Sequence, residues 1–106
     1  MQRFGSVVRL RPEQEERYRA LHAAVWPTVL QRIHRCNIRN YTIFLRDGLL
    51  FSYYEYVGDD HAADMAAMAA DQSTQDWWKL TGPCQQRLDT APDQQWAPME
   101  EVFHVD

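Results

Sequence analysis

The chain has 106 residues and a formal net charge of −4 at pH 7, with 11 Lys and Arg residues against 15 Asp and Glu residues. This length fits one domain, residues 1–106, with one modest core. The mixed, slightly acidic charge contains no basic block and gives no reason to expect a nucleic-acid partner. Because Arg3, Arg9 and Arg11 interrupt the N-terminal stretch, the sequence predicts no signal peptide, no membrane span and a cytoplasmic location.

The first third of the chain predicts a strand and a long helix. Alternating side chains from Met1 to Leu10 favour a strand. A helix is then expected to begin after Pro12 and to run to about Arg35. Pro27 falls inside this helix, so it should either kink the helix or start a second segment from Thr28 to Arg35.

Three aromatic side chains recur every four residues in the middle of this helix. Tyr18, His22 and Trp26 are therefore expected on one stripe, beside an apolar stripe. A phenol, an imidazole and an indole in a row suit the wall of a pocket for a small polar molecule. The apolar stripe consists of Leu21, Val25, Val29 and Ile33.

A hairpin and a helix are predicted for the middle of the chain. Ile38 to Leu45 and Leu49 to Tyr56 have strand character, and Asp47-Gly48 between them is a favoured hairpin turn. The Gly58-Asp59-Asp60 stretch can cap a helix from His61 to about Ala70, which is rich in strong helix formers.

The last third predicts a short helix, a long loop and a final strand. Ser73 is expected to cap a helix that carries Trp77 and Trp78 and stops at Gly82-Pro83. The chain is then polar up to Pro98. A closing strand is expected from Glu100 to Val105.

This order of elements, β-α-β-β-α-β, predicts an α+β fold with a ferredoxin-like plan. A four-stranded antiparallel sheet would carry helices on one face. Its other face would expose many apolar and aromatic side chains, which a monomer rarely does. The sequence therefore predicts a homodimer that covers this face.

Neither the cysteines nor the remaining histidines show metal-ligand spacing. Cys36 and Cys84 are best interpreted as buried or half-buried thiols in a reducing cytosol. His34, His61 and His104 are interpreted as surface or structural residues. No metal and no cofactor are predicted.

His22 is the sharpest candidate for chemistry, since an imidazole with a pKa of about 6.5 exchanges protons near neutrality. On spacing alone it could equally be a packing residue, and Tyr18 a boundary tyrosine. Trp77 and Trp78 point about 100° apart on a helix, so they either flank a pocket or divide into one core and one exposed residue. Tyr41 belongs to the core or to a cavity floor.

The residues Tyr18, His22 and Val25-Trp26-Pro27 resemble the L-rhamnose mutarotase family. The likeness continues in the same order along nearly the whole chain, at Asn40-Tyr41-Thr42-Ile43, Trp77-Trp78-Lys79 and Glu101-Val102-Phe103. The resemblance implies a dimeric α+β barrel in which His22 is the proton donor. It also implies that the sugar is contacted by Tyr18, Tyr41, Trp77 and Trp78.

The sequence is therefore interpreted as an isomerase that interconverts the α and β anomers of L-rhamnose or a similar 6-deoxy sugar. Ring opening by general acid–base catalysis needs no metal, cofactor or covalent intermediate. Alternatives are an L-fucose mutarotase and a non-catalytic sugar-binding or regulatory module. Monooxygenases and haem-degrading enzymes use the same fold and form a third alternative, by fold analogy alone.

Overall fold

The computed structural model describes residues 1–106 and contains five strands and four α-helices. None of the helices has the length and apolar character needed to cross a bilayer. Short 3-10 turns cover Pro12–Gln14 and Gly82–Cys84. In chain order the main elements are β1 Gln2–Leu10, α1 Glu15–His22, α2 Pro27–Arg35, β2 Ile38–Arg46, β3 Leu49–Tyr56, α3 His61–Ala69, α4 Gln72–Thr81, β4 Gln85–Gln86 and β5 Ala97–Met99.

The strands form one antiparallel sheet in the order β2-β3-β1-β4, and β5 pairs with the first half of β1. The central pair places Phe4 opposite Tyr54 and Ser6 opposite Ser52. The two serine hydroxyls are hydrogen-bonded to each other. The predicted α+β, ferredoxin-like architecture is confirmed, although the strand at the edge of β1 is divided between β4 and β5.

Two apolar clusters lie between the sheet and the helices. The larger one joins α1 to β1 and β3, and consists of Val8, Leu10, Tyr18, Leu50 and Cys84. The smaller one lies under α3 and consists of Cys36, Ile38 and Met68. Both cysteines are free and buried, as the sequence predicted.

The structure does not contain the single kinked helix that was the first expectation for the region around Pro27. Helix α1 ends at His22, Trp26 is extended (φ −61°, ψ 134°), and Pro27 is the first residue of α2. A residue before proline avoids the helical conformation because of the proline ring, and proline suits a first helical position. The alternative of a second helical segment is thus confirmed. The prediction that Tyr18, His22 and Trp26 share one helical stripe is wrong.

Two further predictions of local structure are wrong. Helix α4 is capped by Asp71, whose carboxylate accepts hydrogen bonds from the backbone N–H and hydroxyl of Thr74. Ser73, the predicted cap, instead hydrogen-bonds through its hydroxyl to Thr28 of α2. The last strand is Ala97–Met99, because that segment aligns with β1, and Glu100–Asp106 has no regular structure.

The hairpin between β2 and β3 is as predicted and gives a test of the fold. Asp47 and Gly48 both have positive φ, +52° and +74°, which is typical of the tight turn in a two-residue hairpin. We expect Gly48→Ala to lower the free energy of unfolding by about 1 kcal/mol, since a left-handed conformation strains a side-chain-bearing residue. Urea unfolding followed by circular dichroism measures this change.

Gly82→Ala is the matched control. Gly82 has φ −55°, and a Cβ there would meet no atom within 4 Å. The free energy of unfolding of Gly82→Ala should be unchanged or slightly raised, because alanine restricts the conformations of the unfolded chain. Equal losses in the two variants would contradict a turn that requires glycine.

Candidate active site

Tyr18 and His22 lie one helical turn apart on α1, and their rings stack. The ring centroids are 4.2 Å apart and the planes are inclined by 30°. Tyr18 is buried among core residues of β1 and β3, and His22 is half-buried. The spacing that the sequence pattern predicted for this pair is therefore realised, and the core holds the tyrosine against which the imidazole lies.

The imidazole of His22 has one nitrogen tied to the backbone. Nδ1 lies 2.9 Å from the carbonyl oxygen of Tyr18. Because a carbonyl oxygen only accepts hydrogen bonds, Nδ1 must carry a hydrogen. Nε2 has no hydrogen-bond partner in the protein. In the neutral ring Nε2 is thus the basic nitrogen, and in the charged ring it carries a transferable proton.

Two tryptophans complete the surroundings of His22: Trp77 of α4 and Trp26, the extended residue before α2. The Trp77 ring meets the His22 ring edge-on, with centroids 5.4 Å apart, and the Trp26 ring meets Trp77 edge-on at 5.3 Å. Trp77 is only 6 % exposed, whereas Trp78 is 46 % exposed. The structure brings Trp77 to His22 and leaves Trp78 outside this ring cluster.

The phenol of Tyr18 is held by two glutamines, Gln85 and Gln95, which no sequence pattern singles out. Gln85 of β4 donates a hydrogen bond from Nε2 to the Tyr18 hydroxyl oxygen at 3.2 Å, and its own Oε1 accepts one from Gln95 at 3.2 Å. Burial raises the pKa of Tyr18, and the Gln85 hydrogen bond lowers it by less. Since the phenol oxygen accepts from Gln85, its own hydrogen is free to donate to a ligand.

Tyr41 lies on the edge strand β2, and its ring neighbour is Tyr54 of β3, not His22. The residue is 43 % exposed, yet burial of its phenol end is the main reason why its pKa is raised to about 12, with the charges of Tyr18 and Tyr54 as further causes. Its ring meets the ring of Tyr54 edge-on, with centroids 5.8 Å apart. Tyr41 and Tyr54 are therefore ring neighbours, and their raised pKa values keep both phenols protonated at neutral pH.

A cavity of about 160 Å³ opens beside His22 between α1 and the sheet. This volume has room for about five water molecules at about 30 Å³ each. Tyr18, Arg19 and His22 supply its polar wall, and its apolar wall comes mainly from Leu10, Ile43, Leu45 and Leu50. An apolar cavity with a few convergent polar groups is the usual form of a small-molecule site.

A larger cavity, of about 380 Å³, lies between the C-terminal segment and the sheet. Its charged lining includes Arg3 and Glu101, which form an ion pair at 3.3 Å. The larger cavity also holds a histidine, His104, but its Nε2 is paired with the carboxylate of Asp106 at 2.8 Å. The smaller cavity is the candidate site, because Nε2 of His22 has no partner there and can transfer a proton. In neither cavity do three or more His, Cys, Asp or Glu side chains form a group that could hold a metal ion.

Comparison with known proteins identifies the family of the chain. The sequence profile of the family described as L-rhamnose mutarotase matches residues 3–105. An L-rhamnose mutarotase from Lactiplantibacillus plantarum is 33% identical over 110 residues, which cover 100% of both chains. An L-rhamnose mutarotase from Sinorhizobium fredii is 31% identical over 108 residues, which cover 99% of both chains.

Two solved structures share the fold over 100% of both chains. One is the crystal structure of an L-rhamnose mutarotase from Formosa agariphila, with a TM-score of 0.80 at 24% sequence identity. The other is tetracenomycin F2 cyclase from Streptomyces glaucescens, a type-II polyketide cyclase, with a TM-score of 0.71 at 16% identity. These likenesses establish the fold, and the profile match together with the two sequence relatives shows that the chain belongs to the L-rhamnose mutarotase family.

Proposed function

We propose that this protein is an isomerase that interconverts the α and β anomers of L-rhamnose, with His22 as the group that gives and recovers a proton. The observation that carries this proposal is the His22 ring, whose Nδ1 is fixed by the Tyr18 carbonyl while Nε2 is unpaired at the cavity. Membership of the family supports the reaction, and the names of the relatives favour L-rhamnose over L-fucose.

The reaction needs two proton movements and no change of oxidation state. The anomeric hydroxyl loses its proton, the bond between C1 and the ring oxygen breaks, and the ring oxygen takes up a proton. The resulting aldehyde rotates about the bond between C1 and C2. The hydroxyl on C5, which carries the former ring oxygen, then attacks the other carbonyl face. General acid–base groups typically accelerate such steps by about 10² to 10⁴-fold.

His22 is suited to protonate the ring oxygen. When the imidazole is charged, Nδ1–H stays on the Tyr18 carbonyl and Nε2–H is the hydrogen that can leave. The same nitrogen recovers the proton when the ring closes. Since the Tyr18 ring stacks on the imidazole, the ring cannot turn without losing this contact, and Nε2 keeps one direction throughout the cycle.

Tyr18 and Tyr41 are proposed to orient the sugar hydroxyls. Both have pKa values raised mainly by burial, so each presents a hydroxyl hydrogen throughout the physiological range. Gln85 fixes the oxygen of Tyr18, which leaves that hydroxyl hydrogen to point at a ligand. These roles require hydrogen bonds only and agree with the chemistry of a neutral sugar.

Trp77 is proposed to form an apolar wall for the C–H face and methyl group of a 6-deoxy sugar. Its edge-on contact with the His22 ring, with centroids 5.4 Å apart, supports this role. The contact of Trp78 with the sugar stays a prediction from the resemblance, because this side chain lies on the exposed side of α4.

Replacing His22 by alanine should abolish catalysis of anomer exchange, because no other group at that wall of the cavity supplies an imidazole proton. The measurement is saturation-transfer proton NMR on the anomeric resonances of L-rhamnose and L-fucose at equilibrium, with catalytic amounts of protein. The wild type should transfer saturation between the L-rhamnose anomers, and more strongly than between those of L-fucose.

His34→Ala is the matched control, since His34 is an exposed histidine on a neighbouring helix. It should exchange anomers at the wild-type rate. Full activity of His22→Ala would remove His22 from the mechanism. Binding of L-rhamnose by the wild type without added exchange would instead favour the sugar-binding module.

We further propose that the protein is a homodimer in which the sheet face opposite the helices is covered by a second copy. Phe44 on β2 is 64 % exposed, and it is joined on this face by Val7 and Phe51. The apolar residues Val102 and Phe103 of the C-terminal segment are also exposed. A twofold dimer can bury the same apolar patch on both copies.

Phe103→Asp should weaken this dimer at least tenfold, because a carboxylate would be buried in the interface. Sedimentation equilibrium of the wild type should give twice the 12.5 kDa mass of one chain. Leu30→Asp, at an exposed apolar residue on α2, is the control and should leave the dimer intact. A wild type that sediments as a monomer at micromolar concentration would contradict the proposal.

The cytoplasm is the proposed location, and residues 1–106 are proposed to act as one domain. The two buried cysteines are free thiols, which suits a reducing compartment. The sheet joins strands from both ends of the chain, since β5 pairs with β1, and this supports a single folding unit.

A further inference from the structure

Two side-chain amides, Gln95 and Gln85, form a row that leads from the polar loop before β5 to the Tyr18 hydroxyl. Nε2 of Gln95 lies 3.2 Å from Oε1 of Gln85, and Nε2 of Gln85 lies 3.2 Å from the hydroxyl oxygen of Tyr18. Gln85 is only 6 % exposed. A buried amide costs free energy unless its polar atoms are paired, and both ends of this one are paired. The amide row is therefore part of the packed interior beside α1.

The backbone carbonyl of Gly82 fixes the direction of the hydrogen bonds in the amide row. Nε2 of Gln95 lies 3.4 Å from that carbonyl oxygen. Because a carbonyl oxygen only accepts, the NH₂ group of Gln95 must face it, and the second hydrogen of this group goes to Oε1 of Gln85. The NH₂ group of Gln85 then faces Tyr18 and donates to it. Turning either amide over would set two acceptors or two donors against each other.

The loop end that carries Gln95 is held by core packing. Trp96, the next residue, packs against the larger apolar cluster, which includes Tyr18 and Leu10. Strand β5 begins at the residue after it, Ala97, and pairs with β1. The position of the Gln95 amide is therefore set by the same core that holds Tyr18.

The direction of the amide row decides what the Tyr18 hydroxyl can offer. A phenol can both donate and accept a hydrogen bond. The Tyr18 oxygen accepts from Gln85, and its hydrogen has no acceptor in the protein. Tyr18 also lines the cavity beside His22, whereas neither glutamine does. The hydroxyl hydrogen is thus the part of this row that remains for a ligand.

We propose that Gln85 and Gln95 are positioning residues that set the Tyr18 hydroxyl as a hydrogen-bond donor to the sugar, so that the sugar atom bound there is an accepting oxygen. This inference rests on the proposed function and adds to it the residues that decide how Tyr18 reads the substrate. Since neither glutamine lines the cavity, each acts through Tyr18.

Gln95→Glu tests the row at its far end from Tyr18. A carboxylate cannot donate to Oε1 of Gln85, so the Gln85 amide loses the partner that fixes its direction and can turn its oxygen to the Tyr18 hydrogen. We expect KM for L-rhamnose to rise about fivefold, the effect of one lost hydrogen bond, with kcat close to that of the wild type. Saturation transfer at several L-rhamnose concentrations measures both constants.

Gln94→Glu is the matched control for this variant. It places the same charge one residue earlier in the loop, on an exposed side chain, and should keep the wild-type KM.

Gln85→Met removes the donor to Tyr18 and keeps the length of the side chain. The Tyr18 hydroxyl then has no fixed direction, and KM should rise about as much as in Gln95→Glu. Gln86→Met is the control, since Gln86 is the exposed neighbour on β4. It should leave both kcat and KM unchanged.

Tyr18→Phe supplies a readout that a purely structural role would not move. If the glutamines act only through the Tyr18 hydroxyl, adding Gln85→Met or Gln95→Glu to Tyr18→Phe should weaken L-rhamnose binding no further. The dissociation constant from NMR titration gives this comparison without turnover. Effects that add in the double variants would mean that the glutamines support the fold and not the hydroxyl.

Thermal unfolding of each variant checks the fold. Gln95→Glu changes a half-buried loop residue and keeps the inference testable if Gln85→Met does not fold. Wild-type KM in Gln95→Glu, or additive effects in the double variants, would overturn the inference while leaving the proposed function in place. A wild type without any exchange of L-rhamnose anomers would overturn the proposed function itself.

Discussion

The hydrogen bond between Nδ1 of His22 and the carbonyl oxygen of Tyr18 is the interaction on which the proposed chemistry depends. It decides which imidazole nitrogen carries the permanent hydrogen, and so leaves Nε2 as the atom that exchanges protons. The stacking of the two rings fixes the direction of Nε2. Because Tyr18 is itself a core residue in one cluster with Leu10 and Leu50, the position of the His22 ring is set by the packing of α1 on the sheet.

The break before Pro27 shapes the other side of the site. With Trp26 extended and α2 starting at Pro27, the Trp26 side chain leaves the helical stripe and packs edge-on against Trp77 of α4. Trp77 in turn meets His22. Because Pro27 holds the preceding Trp26 in an extended conformation, the Trp26 indole supports Trp77, which in turn contacts His22.

Sequence patterns of a few residues predicted correctly those turns and caps that depend only on neighbouring residues. The hairpin at Gly48 and the Asp60 cap of α3, which accepts the backbone N–H of Ala63, agree with the sequence. The predictions of the last strand and of the α4 cap were wrong. Local alternation shows neither which segment pairs with β1 nor whether Asp71 or Ser73 caps the helix. Gln85 reaches Tyr18 across 67 positions of sequence, and no spacing rule could have indicated such a contact. The family resemblance located His22, but only the fold shows which of its nitrogens is free.

Nitrogen-15 NMR of the His22 ring tests the central claim most directly. We expect the neutral ring to be the Nδ1–H tautomer, with Nε2 unprotonated, and the Nε2 resonance to move when L-rhamnose is added. The resonances of exposed His34 should not move. A neutral His22 with its hydrogen on Nε2, or an Nε2 resonance that L-rhamnose leaves unchanged, would contradict a mechanism in which this nitrogen exchanges protons with the sugar.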